Sequence, residues 1–115
     1  MANNTLFLTS LLMLLAHLFL CIGKGPLGLF YIFGTITSVL NHGLTNAIAK
    51  ASDRLTMLAG FGIDIFLIFF VIEHRKGIIA TLVGGAALCC FVNTTTHVLA
   101  HFLVTVAHAY SIHSM

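Results

Sequence analysis

The sequence predicts an all-α protein, a polytopic transmembrane bundle of about five helices with four as the lower count. Three observations carry that expectation. Hydrophobic residues make up 59% of the 115 positions, and Asp, Glu, Lys and Arg only 7%, where a soluble domain carries roughly 25% charged residues. Five Lys and Arg with three Asp and Glu cannot cover a water-exposed surface, so lipid is the expected solvent for most of it. The apolar residues also fall in runs separated by short polar or glycine punctuation, and one Pro with no Trp leaves those runs largely uninterrupted. The whole chain, residues 1–115, reads as one transmembrane helical domain.

The first segment runs roughly from Leu6 to Ile22 and ends at Gly23-Lys24-Gly25-Pro26. It has no positive n-region and no small-residue cleavage site after it, so it reads as a retained helix and not as a signal peptide. The second covers Leu27 to Ile48 and is ended by Lys50 to Arg54; the third covers Leu55 to Ile72 and is ended by Glu73-His74-Arg75-Lys76-Gly77. The fourth is Ile78 to Val92, closed by Asn93-Thr94-Thr95-Thr96, and the fifth runs from His97 to about Ser111. A helix needs ~20 residues to cross the hydrocarbon. The first three meet this length; the last two, near 15 residues each, fit a locally thin region or a re-entrant pair.

Five spans place the N-terminus and the loops near residues 50 and 94 on one side, here the N-side, and the loops near 24 and 75 with the C-terminus on the other. Lys24, Arg75 and Lys76 outnumber Lys50 and Arg54, which leans towards a cytoplasmic C-terminus. The acceptor sequons Asn3-Asn4-Thr5 and Asn93-Thr94-Thr95 both fall on the N-side. Cys89 and Cys90 are adjacent and Cys21 is expected near the opposite face, so the cysteines read as small apolar fillers and not as a disulfide framework. A net charge of +2 offers no basic field for nucleic acid. The expected partners are membrane lipid and, given so little polar surface, other membrane subunits.

Chemistry is expected where a membrane protein retains ionisable groups, because such groups are costly in a bilayer and face the bundle interior. His97, His101, Thr105 and His108 lie at offsets of four, four and three on the fifth segment, and Thr35, Ser38, His42 and Thr45 at threes and fours on the second. Each set occupies one helical face. His42, Asp53, His97 and His101 all fall near the N-side ends of their segments. Three neutral imidazoles plus a water make a catalytic zinc shell, and the H-x-x-x-H pair supplies two ligands from one helix. In that reading Asp53 accepts a proton from the water, and Ser38 hydrogen-bonds the water or a developing oxyanion. Two other readings fit the same residues: interhelical hydrogen bonds that hold helices together without chemistry, and haem ligation. A second polar layer is expected about 16 to 18 Å deep, where Asp64, His17 and His108 coincide. Asp64 should pair there with His17 or His108, or stay protonated.

The order Ser38-x3-His42-x10-Asp53, followed by His97-x3-His101, resembles the CREST superfamily, which includes alkaline ceramidases and adiponectin-receptor (PAQR) proteins. The resemblance covers segments two, three and five, and the chain is shorter than that seven-span family. It implies an intramembrane zinc-dependent hydrolase of lipid amides or esters, with zinc on His42, His97 and His101 and with Ser38 and Asp53 supporting the bound water. The His42-x10-Asp53 spacing is also similar to the membrane anchor subunits of succinate dehydrogenase. That resemblance implies haem b on His42 and a quinone near Asp53, although Arg54 stands where the anchors carry Tyr. A structural accessory subunit of a larger membrane complex is the third alternative.

Overall fold

The structure is a computed structural model that describes residues 4–44 and 46–114. Asn3 of the first sequon and Thr45, the last member of the stripe on segment two, lie outside the described residues. The described chain is all-α, without a strand: α1 Asn4–Cys21, α2 Gly25–Gly43, α3 Ala47–Phe70, α4 Lys76–Val92 and α5 Thr94–His113.

The breaks have local causes. Gly23 and Gly25 take φ 75° and 77°, the left-handed region that a residue with a Cβ seldom occupies, and Pro26 then starts α2 in its first turn. Between α2 and α3 the turn is shorter than the sequence suggests. α2 stops at Gly43 instead of Ile48, and Asn46 restarts the chain by accepting the Ala49 amide on Oδ1 at 2.9 Å, an N-terminal cap. Lys50, Asp53 and Arg54 therefore sit on the first turns of α3 and not in a loop. At the start of α5 the Asn93 side chain accepts the Thr96 amide at 2.9 Å, while the Thr96 hydroxyl accepts the Asn93 amide at 3.3 Å. This reciprocal cap draws Thr94–Thr96 into the helix. α4 and α5 are accordingly 17 and 20 residues long, longer than the runs of apolar residues alone.

Two compact units divide the chain at Gly60. In the first, α1 packs along α2. α1 buries Leu6, Ser10, Met13, His17 and Cys21, a stripe at offsets of three and four. The helices approach closely at two glycines: a Cβ on Gly28 would run into the Cys21 carbonyl, and one on Gly43 would lie 2.7 Å from the Phe7 ring. Close approach at small residues is how helices associate where burial of apolar surface offers little. In the second unit α4 packs along α5. α4 buries Ile79, Val83 and Ala86, α5 buries Ala100 and Ala107, and Leu103 lies 3.5 Å from where a Gly85 Cβ would stand.

The polarity of the molecule is inverted. Among the described residues eleven polar ones are buried, from Ser10 and His17 to His108 and Ser111, while 26 large hydrophobic ones are exposed, Phe19 at 88% among them. Among the described residues α1 is the one helix long and apolar enough to cross a membrane, with mean hydropathy 1.8 over 18 residues. Only 28% of that stretch is buried, unlike a core helix of a soluble protein. α4 is apolar but one residue shorter. α2 closes on Asn41-His42-Gly43, α3 carries Lys50, Asp53, Arg54 and Asp64, and α5 carries four His; these polar groups dilute otherwise apolar helices.

The packing at Gly28 makes a direct prediction. Gly28→Ala should destabilise the first unit by about 1–3 kcal/mol through overpacking. Gly62→Ala, on α3 with open space around it, should be neutral or stabilise by up to ~1 kcal/mol through helix propensity. Thermal unfolding of the two variants in detergent checks this, and equal midpoints would contradict the close approach.

Candidate metal centre

His42 is the penultimate residue of α2 and is buried; His97 lies in the first turn of α5, half-buried, and His101 one turn on, buried. Their i, i+4 spacing stacks the two α5 imidazoles along one helical face, with ring centroids 5.0 Å apart at 65°. The Thr105 hydroxyl donates to the His101 carbonyl at 2.7 Å. His97 and His101 thus offer two ligand nitrogens from one face of α5 in the second unit, and His42, in the first unit, is the third candidate ligand.

An i, i+4 imidazole pair can supply two of the bonds of about 2.0–2.1 Å that a zinc ion takes. Three imidazoles match the donor set of a site that keeps its fourth position open, and His42, His97 and His101 are the candidate ligand group.

The other site candidates are placed as follows. Ser38 is buried one helical turn before His42, on the same face of α2. Asp53 is buried at 8% exposure. Its Oδ2 accepts a hydrogen bond from Asn41 Nδ2 at 2.8 Å, while the Thr37 hydroxyl donates to the Gly34 carbonyl at 2.8 Å. Asn41 is a neighbour of the candidate site that the sequence reading missed.

The second polar layer resolves into a specific pair. His108 Nε2 lies 3.4 Å from Asp64 Oδ2, and both residues are buried. Of the two partners expected for Asp64, this ion-pair contact is made with His108. His17 is wholly buried, and its Nδ1 lies 2.8 Å from the Met13 carbonyl oxygen. A carbonyl only accepts, so Nδ1 carries the proton.

No family model matches the chain, and no curated protein or solved structure matches it significantly.

Removing one member of a buried pair strands the other, at a cost of about 3–5 kcal/mol. Asp64→Asn and His108→Gln should each destabilise strongly, and the double variant by clearly less than their sum. A double-mutant cycle on unfolding free energies reads this coupling, expected at about 0.5–3 kcal/mol; strict additivity would refute the pair.

Proposed function

We propose that the chain is a multi-span membrane protein that binds zinc through His42, His97 and His101 and hydrolyses an amide or ester bond in a lipid. The observation that carries the reading is the stacked His97–His101 pair on α5, ring centroids 5.0 Å apart, with His42 as the third candidate ligand. The inverted polarity supports the membrane half of it: polar side chains inside and large apolar ones outside suit a hydrocarbon solvent, where unsatisfied polar groups are costly. α1 and the apolar α4 are the most hydrophobic spans. α2, α3 and α5 cross with their polar stripes turned inward.

A bound zinc ion polarises a carbonyl and lowers the pKa of its water to about 7. The rest falls to the chain. His42, His97 and His101 fix the ion through neutral imidazoles. The Ser38 hydroxyl, on the His42 face of α2, donates to oxygen of the water or of the developing oxyanion. Asp53 would accept the proton released on attack. Asn41 holds its carboxylate in place. The exposed leucines and phenylalanines bound the path by which an acyl chain enters from the bilayer.

A subunit role in a larger complex remains compatible with zinc, since it concerns the outer surface and not the cluster.

Two measurements test the reading. Untagged purified protein should carry about one zinc per chain, lost on chelation and reduced at least tenfold in His97→Ala and His101→Ala. Absence of zinc from the wild type, or its retention in both variants, would end the metal assignment. Single cysteines introduced at Lys24, Lys50, Arg75 and Thr94 in a background lacking the native three should label from alternating sides: residues 50 and 94 from one, 24 and 75 from the other. Labelling of all four from one side would end the five-span topology.

A further inference from the structure

A second site lies at the other end of the second unit, where the end of α3, the turn into α4 and the end of α5 meet. They enclose a cavity of about 840 Å³ lined by Val71, Glu73, His74, Arg75, His113 and Ser114. The lining carries a carboxylate and a guanidinium two residues apart, yet among the described residues the two form no ion pair with each other. The Arg75 guanidinium instead lies 5.4 Å over the Tyr110 ring, a contact that holds it in place and leaves its N–H fork open for an anion. Arg75 also occupies the left-handed region at φ 63°, where a long side chain is strained and which is often found at binding sites. The Ser114 hydroxyl at the cavity wall is closed off from solvent and has no hydrogen-bond partner among the described residues.

We infer that this cavity binds a zwitterionic phosphate–ammonium group of the phosphoethanolamine type. Arg75 takes the phosphate through paired N–H donors, and His74, His113 and Ser114 offer further donors to its remaining oxygens. Glu73 takes the ammonium. A divalent cation is the wrong occupant: Glu73, His74 and His113 do not bring their ligand atoms together as a metal-holding group among the described residues, and the Arg75 charge repels a cation. A bare anion leaves Glu73 as a repulsive wall. The opposite charges, held apart in one cavity, select a ligand that carries both.

The ligand chemistry comes from a phospholipid headgroup or from a free phosphomonoester, and the test separates them. Protein in maltoside micelles is titrated with O-phosphoethanolamine and with methyl phosphate by calorimetry. Phosphatidylethanolamine retained after solubilisation is counted by native mass spectrometry. Binding of O-phosphoethanolamine assigns a free ligand, whereas retention of the phospholipid without free-ligand binding assigns a headgroup. In either case Arg75→Gln should weaken binding about tenfold. Glu73→Gln should weaken the zwitterion and leave methyl phosphate unchanged or slightly tighter. His97→Ala, which removes a proposed zinc ligand, should leave this site intact, so failure of the metal reading and failure of this one are distinguishable. Neither ligand binding, or Arg75→Gln and Glu73→Gln both behaving as wild type, overturns the inference.

Discussion

Among the described residues α1, α2, α3 and α5 bury polar groups while leaving large aliphatic and aromatic groups outside, and the structure is organised by how those inward groups find partners. Some hydroxyls need no second helix: Thr35, Thr37 and Thr105 bond carbonyls three or four residues earlier in their own helices. His17 does the same through Nδ1. The carboxylates only accept, the amides of a helix interior are already bonded, and donors must reach them from elsewhere. Asp53 is met from α2 by Asn41, and Asp64 from α5 by His108.

The helices were legible from the run lengths, and the His97–His101 pair from its spacing, because both are properties of one helix at a time. Helix ends were less so. The α2–α3 turn was drawn too long because the charged run from Lys50 to Arg54 looks like a loop, whereas Asn46 caps a helix before it. Similarly, Thr94 to Thr96 read as punctuation until Asn93 and Thr96 close a reciprocal cap. What crosses between helices was legible only as a choice. Depth counting left His17 and His108 as equal partners for Asp64, since depth does not report the direction in which a side chain points. The partnership of Asn41 with Asp53 was invisible for the same reason: twelve residues and a turn separate them, and no periodicity links a position on one helix to a position on the next.

That partnership bears on the metal centre. Successive residues on a helix point about 100° apart, so a bond that fixes Asn41 also fixes the azimuth of His42. Thr37 and Asn41 lie four residues apart on one face of α2, and Asn41 bonds the Asp53 carboxylate. Ser38 and His42 are displaced by one residue from them and form a second face, rotated but equally determined. Asp53 thereby orients α2 through one face while the neighbouring face presents His42. On α5 the pair at 97 and 101 is aligned by the helix itself, so two of the three imidazoles are organised by backbone geometry. The third depends on a hydrogen-bonded carboxylate. In the proposed reading the same carboxylate is also the base, and substitution at residue 53 cannot separate the two roles whereas substitution at Asn41 can. Loss of the amide donor releases the azimuth of α2 and leaves the carboxyl in the chain. The metal affinity of an Asn41 variant thus reports positioning, and that of an Asp53 variant reports positioning and charge together.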